Sequence, residues 1–234
     1  MSITLWQYYI KKAEQLSSKA LANIKSRKDW EKQKGKLKPQ FLESMGIAEW
    51  IKVSQLKTEE YGEIKGKGYK IKKIAYEIIP HCWGTGHLYL PQPLPDTKLP
   101  AVLYVPGHNP IGTHGYHPHA LMWVQQGYIC FIIDSIEQSD NPGDHHGIYY
   151  QRRLDWVSLG YPGAGGELLN SFRALDFLYQ QPNVDQERIG VTGNSGGGAH
   201  SFFLAIADPR IKVLASSCGI SIPEYAIKDR HLFG

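Results

Sequence analysis

The stretch from Arg188 to Ala207, RIGVTGNSGGGAHSFFLAIA, constrains this chain more than any other. Ile189-Gly190-Val191-Thr192 is a short β-branched run that reads as a buried strand. Gly193-Asn194-Ser195-Gly196-Gly197 then fits G-x-S-x-G. Ala199 to Ala207 is apolar, rich in helix formers and free of proline. The motif therefore falls at a strand-to-helix turn, where a nucleophilic serine would sit in a strained conformation with its Oγ exposed. Gly193 and Gly197 lack Cβ atoms and let strand and helix approach closely. Ser195 also precedes the first helical turn, so the Gly196 N–H is a candidate donor to a developing oxyanion.

The segments around this turn alternate between strand and helix. Ala101–Val105 and Tyr128–Ile133 read as buried strands, and Ile211–Ser216 as a further one. Residues 119–127 read as a helix ending at Gly127, and Gly165–Gln181 as another, with Pro182 beyond its end. Such alternation predicts a mostly parallel sheet with helices on both faces. Before it, Tyr69–Ile78 and His87–Leu90 look like antiparallel strands that open a mixed sheet. Residues 3–24 and 28–45 read as helices, the second ended by Gly46. The expected organisation is an N-terminal helical segment, 1–46, packed on a core spanning 47–234.

Charge sharpens this division. Residues 1–40 hold ten Lys and Arg against three acids, so the excess behind the net charge of +4 is N-terminal. No nucleic-acid motif accompanies it, and a solvated helical face is the expectation. No apolar run reaches the roughly 18 residues of a membrane span, so no membrane partner is expected. The N-terminus lacks a basic region followed by an apolar one, and Cys82, Cys130 and Cys218 are scattered. Both point to a cytoplasmic protein.

Several residues carry candidate roles. The loop Val105-Pro106-Gly107-His108-Asn109 follows an earlier strand, and the His108 N–H is the candidate second oxyanion donor. Asn109, Asn194, His145 and His146 are candidate cleft-lining residues, the last two in the loop DNPGDHHG. Asp140, Asp144, His145 and His146 lack helical ligand spacing, and no metal is expected there. Asp134 reads as a structural acid that caps loop amides. Glu167 and Arg173 suggest a surface or inter-element salt bridge. Trp123, Trp156 and Tyr161 read as core, or as a platform for a sugar ring.

The elbow GNSGGG, the loop VPGHNP, the segment GYICFIIDSIEQSDNPGDHHG, the helix GGELLNSFRALDFLYQQPNVDQERIGVTG and the N-terminal PQFLESMGI together resemble the acetyl xylan esterase-like α/β-hydrolases. More distantly the chain resembles dienelactone hydrolases and prolyl oligopeptidase-type hydrolases. The resemblance covers roughly Lys38 to Ile222. It implies an α/β-hydrolase fold and a serine esterase that acts through an acyl-enzyme, with acetylated sugars as substrates and no cofactor. It also implies that a triad acid and histidine follow the serine. The segment after Ser195 holds one clear strand, so the last strands of that fold look missing and the triad partners are expected beyond residue 234. A Ser195-Glu224-His231 set within the tail is the other arrangement considered. The chain alone is then expected to be weak or inactive, and the last strand to form an exposed apolar edge open to self-association. A prolyl oligopeptidase-like peptidase or amidase, and a non-catalytic relative, remain as alternatives.

Overall fold

The computed structural model describes residues 3–52, 55–109, 111–141, 143, 152 and 154–220. Of the described residues, 3–41 with Ile220 fall in one compact unit and residues from 42 to 219 in a second. In the first, helix α1 (Leu5–Lys19) begins at a capping box. Gln7 N donates to Thr4 Oγ1 at 3.2 Å and Thr4 N to Gln7 Oε1 at 2.9 Å. At the start of helix α2 (Arg27–Ser44), Asp29 N donates to Ser26 Oγ at 3.2 Å and the Asp29 carboxylate accepts from Lys25 N at 3.2 Å. Both helices match the sequence expectation to within a few residues. Gly46, at φ +66°, then turns the chain, as its place after the helix suggested.

The second unit is built on one seven-stranded sheet. Its strands are β1 (Thr58–Gly66), β2 (Tyr69–Ile79), β3 (Cys82–Pro91), β4 (Leu99–Val105), β5 (Ile129–Ile133), β6 (Val184–Asn194) and β7 (Val213–Ser217). The spatial order is β1-β2-β3-β5-β4-β6-β7. The pairs β1/β2, β2/β3 and β3/β5 are antiparallel, and β5/β4, β4/β6 and β6/β7 are parallel. This is the mixed sheet that the two kinds of apolar run predicted. Strand β5, ICFII, is buried along its whole length, as a strand covered on both faces must be.

Strand β1 was not evident in the sequence because eight of its nine residues are exposed and it has no apolar alternation. It is recruited by register against β2, with Glu60–Lys72 and Glu63–Lys70 ion pairs at 2.9 and 3.4 Å. Its charges and a bulge between Glu60 and Glu63 guard that sheet edge. Strand β7, at the other edge, carries no charge, and Val213 is 66% exposed.

The crossovers place the helices. From β4 the chain passes through α3 (His117–Gln125) to β5, then through α4 (Leu154–Ser158) and α5 (Gly163–Tyr179) back past β4 to β6, and through α6 (Gly196–Ala207) to β7. Connections of one hand that lead in opposite directions along a sheet must cross on opposite faces. Accordingly Cys130 and Ile132 pack with Tyr104, Tyr116, Ala120 and Val124 on the α3 side. Phe131, between them in sequence, meets Phe177 of α5 at a centroid distance of 4.8 Å. The strand order reverses between β4 and β6, which makes the carboxyl ends of those two strands the switch point of the sheet.

Candidate active site

Ser195 stands at the switch point, between the last residue of β6 and the first of α6. Its backbone is at φ +57°, ψ −122°, a region that costs an L-residue on the order of 1–3 kcal/mol. The conformation persists because both flanks are fixed. Ser195 N donates to Ser217 O of β7 at 2.8 Å, and Ala199 N donates back to Ser195 O at 3.1 Å. The serine itself is exposed. Strain, exposure and position are those expected of G-x-S-x-G at this turn.

The glycines explain why the turn can close. A methyl on Gly193 would stand 2.3 Å from Gly197 O and 2.4 Å from Val105 O. One on Gly197 would stand 2.0 Å from Val105 O and 2.5 Å from Pro106 O. Strand β6, helix α6 and the end of β4 therefore meet backbone to backbone. The loop after β4 is brought against the serine by the same contact. A methyl on Gly107 would lie 2.3 Å from Asn194 O and 3.3 Å from Ser195 Cβ. Gly107 N in turn donates to the buried Tyr116 Oη at 3.1 Å, which fixes the loop from behind.

The two candidate oxyanion residues lie side by side. A Cβ on Gly196 would be 3.0 Å from His108 Cε1, so the imidazole covers that glycine. Gly196 N–H belongs to the first turn of α6, where amides have no intrahelical acceptor. A cavity of about 10 Å³ beside them is lined by Gly107, His108, Ser135, Gln138, Gly196 and His200. His200 is buried on α6, its ring edge-on to Phe203 at 6.0 Å.

The other candidates separate clearly. Asn194 ends β6 with an exposed side chain. Asn109 is half-buried and serves its own loop, accepting from Ile111 N at 3.2 Å in an Asx turn. His145, His146, Asp144, Glu224 and His231 lie outside the described residues. Asp134 is the expected structural acid. Its Oδ1 accepts from Thr113 N and its Oδ2 from Thr85 Oγ1, both at 2.8 Å. Burial nevertheless holds its carboxyl above the usual range, against these hydrogen bonds.

Of the surface or inter-element reading of Glu167 and Arg173, the surface half is corrected. Helix α5 is buried along most of its length, and both residues go with it. Glu167 Oε1 accepts from Ile136 N at 2.9 Å. Arg173 Nε donates to Glu77 O at 3.2 Å, and its Nη1 pairs with Asp176 at 2.6 Å. These are braces between elements. Trp123 packs edge-on against Tyr128 at 5.3 Å, next to the core on the α3 face. Trp156 and Tyr161 instead line an apolar cavity of about 500 Å³ together with Trp50, Ile136 and Leu169.

Sequence reasoning passed over Gln138 and a histidine group near the same loops. His87 of β3 faces His114 at a centroid distance of 5.3 Å. Burial first, then the charge of His114, depresses His87 from 6.5 to about 4. Tyr89 Oη bonds His117 Nδ1 at 3.0 Å, and Tyr104 Oη bonds His119 Nδ1 at 2.7 Å. The only signal in the sequence was the density of histidines from 108 to 119.

The family model described as acetyl xylan esterase matches residues 48–219, well over half of the chain. A hydrolase of Aspergillus flavipes is 27% identical over 158 residues, which cover 64% of this chain and 32% of that protein. An acetyl xylan esterase of a Paenibacillus species superposes with a TM-score of 0.65 at 22% identity, covering 76% of this chain and 58% of that one. A putative acetyl xylan esterase of Bacteroides fragilis gives 0.63 at 20% identity, covering 78% and 53%. The chain thus spans about a third of the curated hydrolase and somewhat over half of these two solved structures. At such identities the structural likeness shows the fold, which is that of the α/β-hydrolases.

Proposed function

The chain belongs to the acetyl xylan esterase family, and we propose that it hydrolyses carboxylic esters, acetyl groups on sugars or xylan among them, through an acyl-enzyme on Ser195. Ser195 Oγ attacks the acyl carbon, and the carbonyl oxygen becomes an oxyanion that accepts from the Gly196 and His108 backbone N–H groups. The alcohol leaves, and water then releases the acid from the serine. The N-terminus of α6 adds the positive end of its dipole to the same oxyanion. No cofactor takes part. The observation that carries this reading is the strained, exposed Ser195, with Gly107 against its Cβ and the His108 ring over Gly196.

The serine proton needs a base. His231, with Glu224 as its orienting acid, is the set this sequence offers. A histidine and acid in a longer parent chain would serve the same roles. Without an engaged base, only the oxyanion hole and binding contribute, on the order of 10³–10⁴ over water. Turnover is weak in that case. Hydrolysis of p-nitrophenyl acetate should exceed that of a peptide p-nitroanilide and should vanish in Ser195→Ala. Faster release from the anilide would favour the peptidase alternative, and equal rates in wild type and Ser195→Ala would remove the serine from the reaction.

A further inference from the structure

Gln138 is 6% exposed, and its Oε1 is a buried acceptor without a hydrogen-bond partner. It lines the cavity of about 10 Å³ beside His108 and Gly196. A buried acceptor left unpaired forgoes its hydration with nothing in return. The cavity has room for about one water-sized group.

The loop is built to hold this side chain still. Glu137 and Ser139, on either side of Gln138, both have positive φ, +68° and +49°. That strain is held by a dense set of bonds. Gln138 N donates to Ser135 O at 3.1 Å, Asn141 N to Gln138 O at 3.0 Å, and Glu137 N to Asn141 O at 2.9 Å. The Asn141 and Asn170 amides both donate to Asp134 O at 3.0 Å, and Glu167 takes the Ile136 N–H. A strained, over-determined loop that presents an unpaired acceptor at a cavity shared with His108 and Gly196 is organised around a guest.

We infer that Gln138 Oε1 is the anchor of a site for one O–H donor beside the oxyanion residues. Its occupant is a resident water or a hydroxyl of the bound substrate. The substrate arm rests on the ester-hydrolase reading above, and the water arm does not. Acceptance of a hydroxyl would make Gln138 a specificity residue, since a site that pairs a substrate hydroxyl discriminates strongly against an analogue lacking it.

The test has a structural and a kinetic part. Crystals of wild type and of Gln138→Leu are compared at a resolution that shows ordered water, and Ser195→Ala crystals are soaked with a methyl xyloside. An oxygen about 2.7–3.2 Å from the Gln138 amide, absent in Gln138→Leu, is the expected result. Its replacement by a xyloside hydroxyl identifies the substrate arm, and its persistence identifies a resident water. With the substrate arm, Gln138→Leu lowers turnover of a monoacetylated xyloside at least tenfold relative to p-nitrophenyl acetate. With the water arm, the two substrates fall together. A cavity with no oxygen near Gln138, with or without xyloside, overturns the inference. Should wild type and Ser195→Ala hydrolyse neither ester, the ester-hydrolase reading fails, while the density at Gln138 still decides the site.

Discussion

Replacing Gly197 by alanine tests the claim that the elbow is held by backbone contact. The added methyl would stand 2.0 Å from Val105 O and 2.5 Å from Pro106 C and O. Each of these is a backbone atom at the end of β4, so no flexible side chain can yield. Normal contact requires α6 and the β4 end to separate by more than 1 Å. Overpacking a fitted interior costs about 1–3 kcal/mol, occasionally more, and a clash with two carbonyls belongs at the upper end. Alanine gains up to about 1 kcal/mol by restricting the unfolded chain. The net loss is then about 2 kcal/mol or more, or roughly 4–8 °C in Tm for a domain of this size. Gly190→Ala, on the same β6, is the control, because its methyl would find only Val213 O at 3.4 Å and Val213 Cβ at 3.7 Å. Thermal unfolding followed by near-UV circular dichroism reads both variants. A Gly197→Ala midpoint indistinguishable from that of Gly190→Ala would refute the argument.

Tyr116→Phe removes the acceptor of the buried Gly107 N–H. It should cost about 1–3 kcal/mol in unfolding free energy and lower kcat on p-nitrophenyl acetate with little change in KM; an unchanged kcat would separate Tyr116 from the oxyanion loop. His87 has its folded pKa depressed from 6.5 to about 4 with His114, His117, Lys73 and Asp140 around it, so the unfolded chain binds the extra proton between those values. Stability should be full above pH 6.5 and decline as pH falls toward 4, by about 1–2 kcal/mol after solvent screening; urea titrations of His87→Gln should show a flatter decline. The uncharged edge of β7 is expected to support concentration-dependent association, and light scattering of Val213→Lys should show it reduced.

The sequence made the elbow legible because its glycines, its strand and its helix obey local rules. Gly193, Gly197 and Gly127 each sit where spacing alone placed them, and Asp134 caps the loop amides a strand-end acid should cap. The parallel strands were readable because β4 and β5 are continuous apolar runs. Strand β1 was not, since its polar residues are made a strand by β2 rather than by their own pattern. Glu167 and Arg173 left a surface and an inter-element reading open because nothing in a single helix tells that α5 is buried on nearly every side. Gln138 gave no signal at all. Its significance comes from burial and from an empty hydrogen-bonding position, both of which exist only after the loops following β4 and β5 and helix α6 have been brought together.

The most direct test of the central claim is the intact mass of the protein after prolonged exposure to a fluorophosphonate probe, with Ser195→Ala alongside. One adduct that forms slowly and disappears in the variant is the expected result, marking Ser195 as a nucleophile served by its oxyanion amides. No adduct at high probe concentration, or an adduct that survives Ser195→Ala, would contradict the assignment of Ser195.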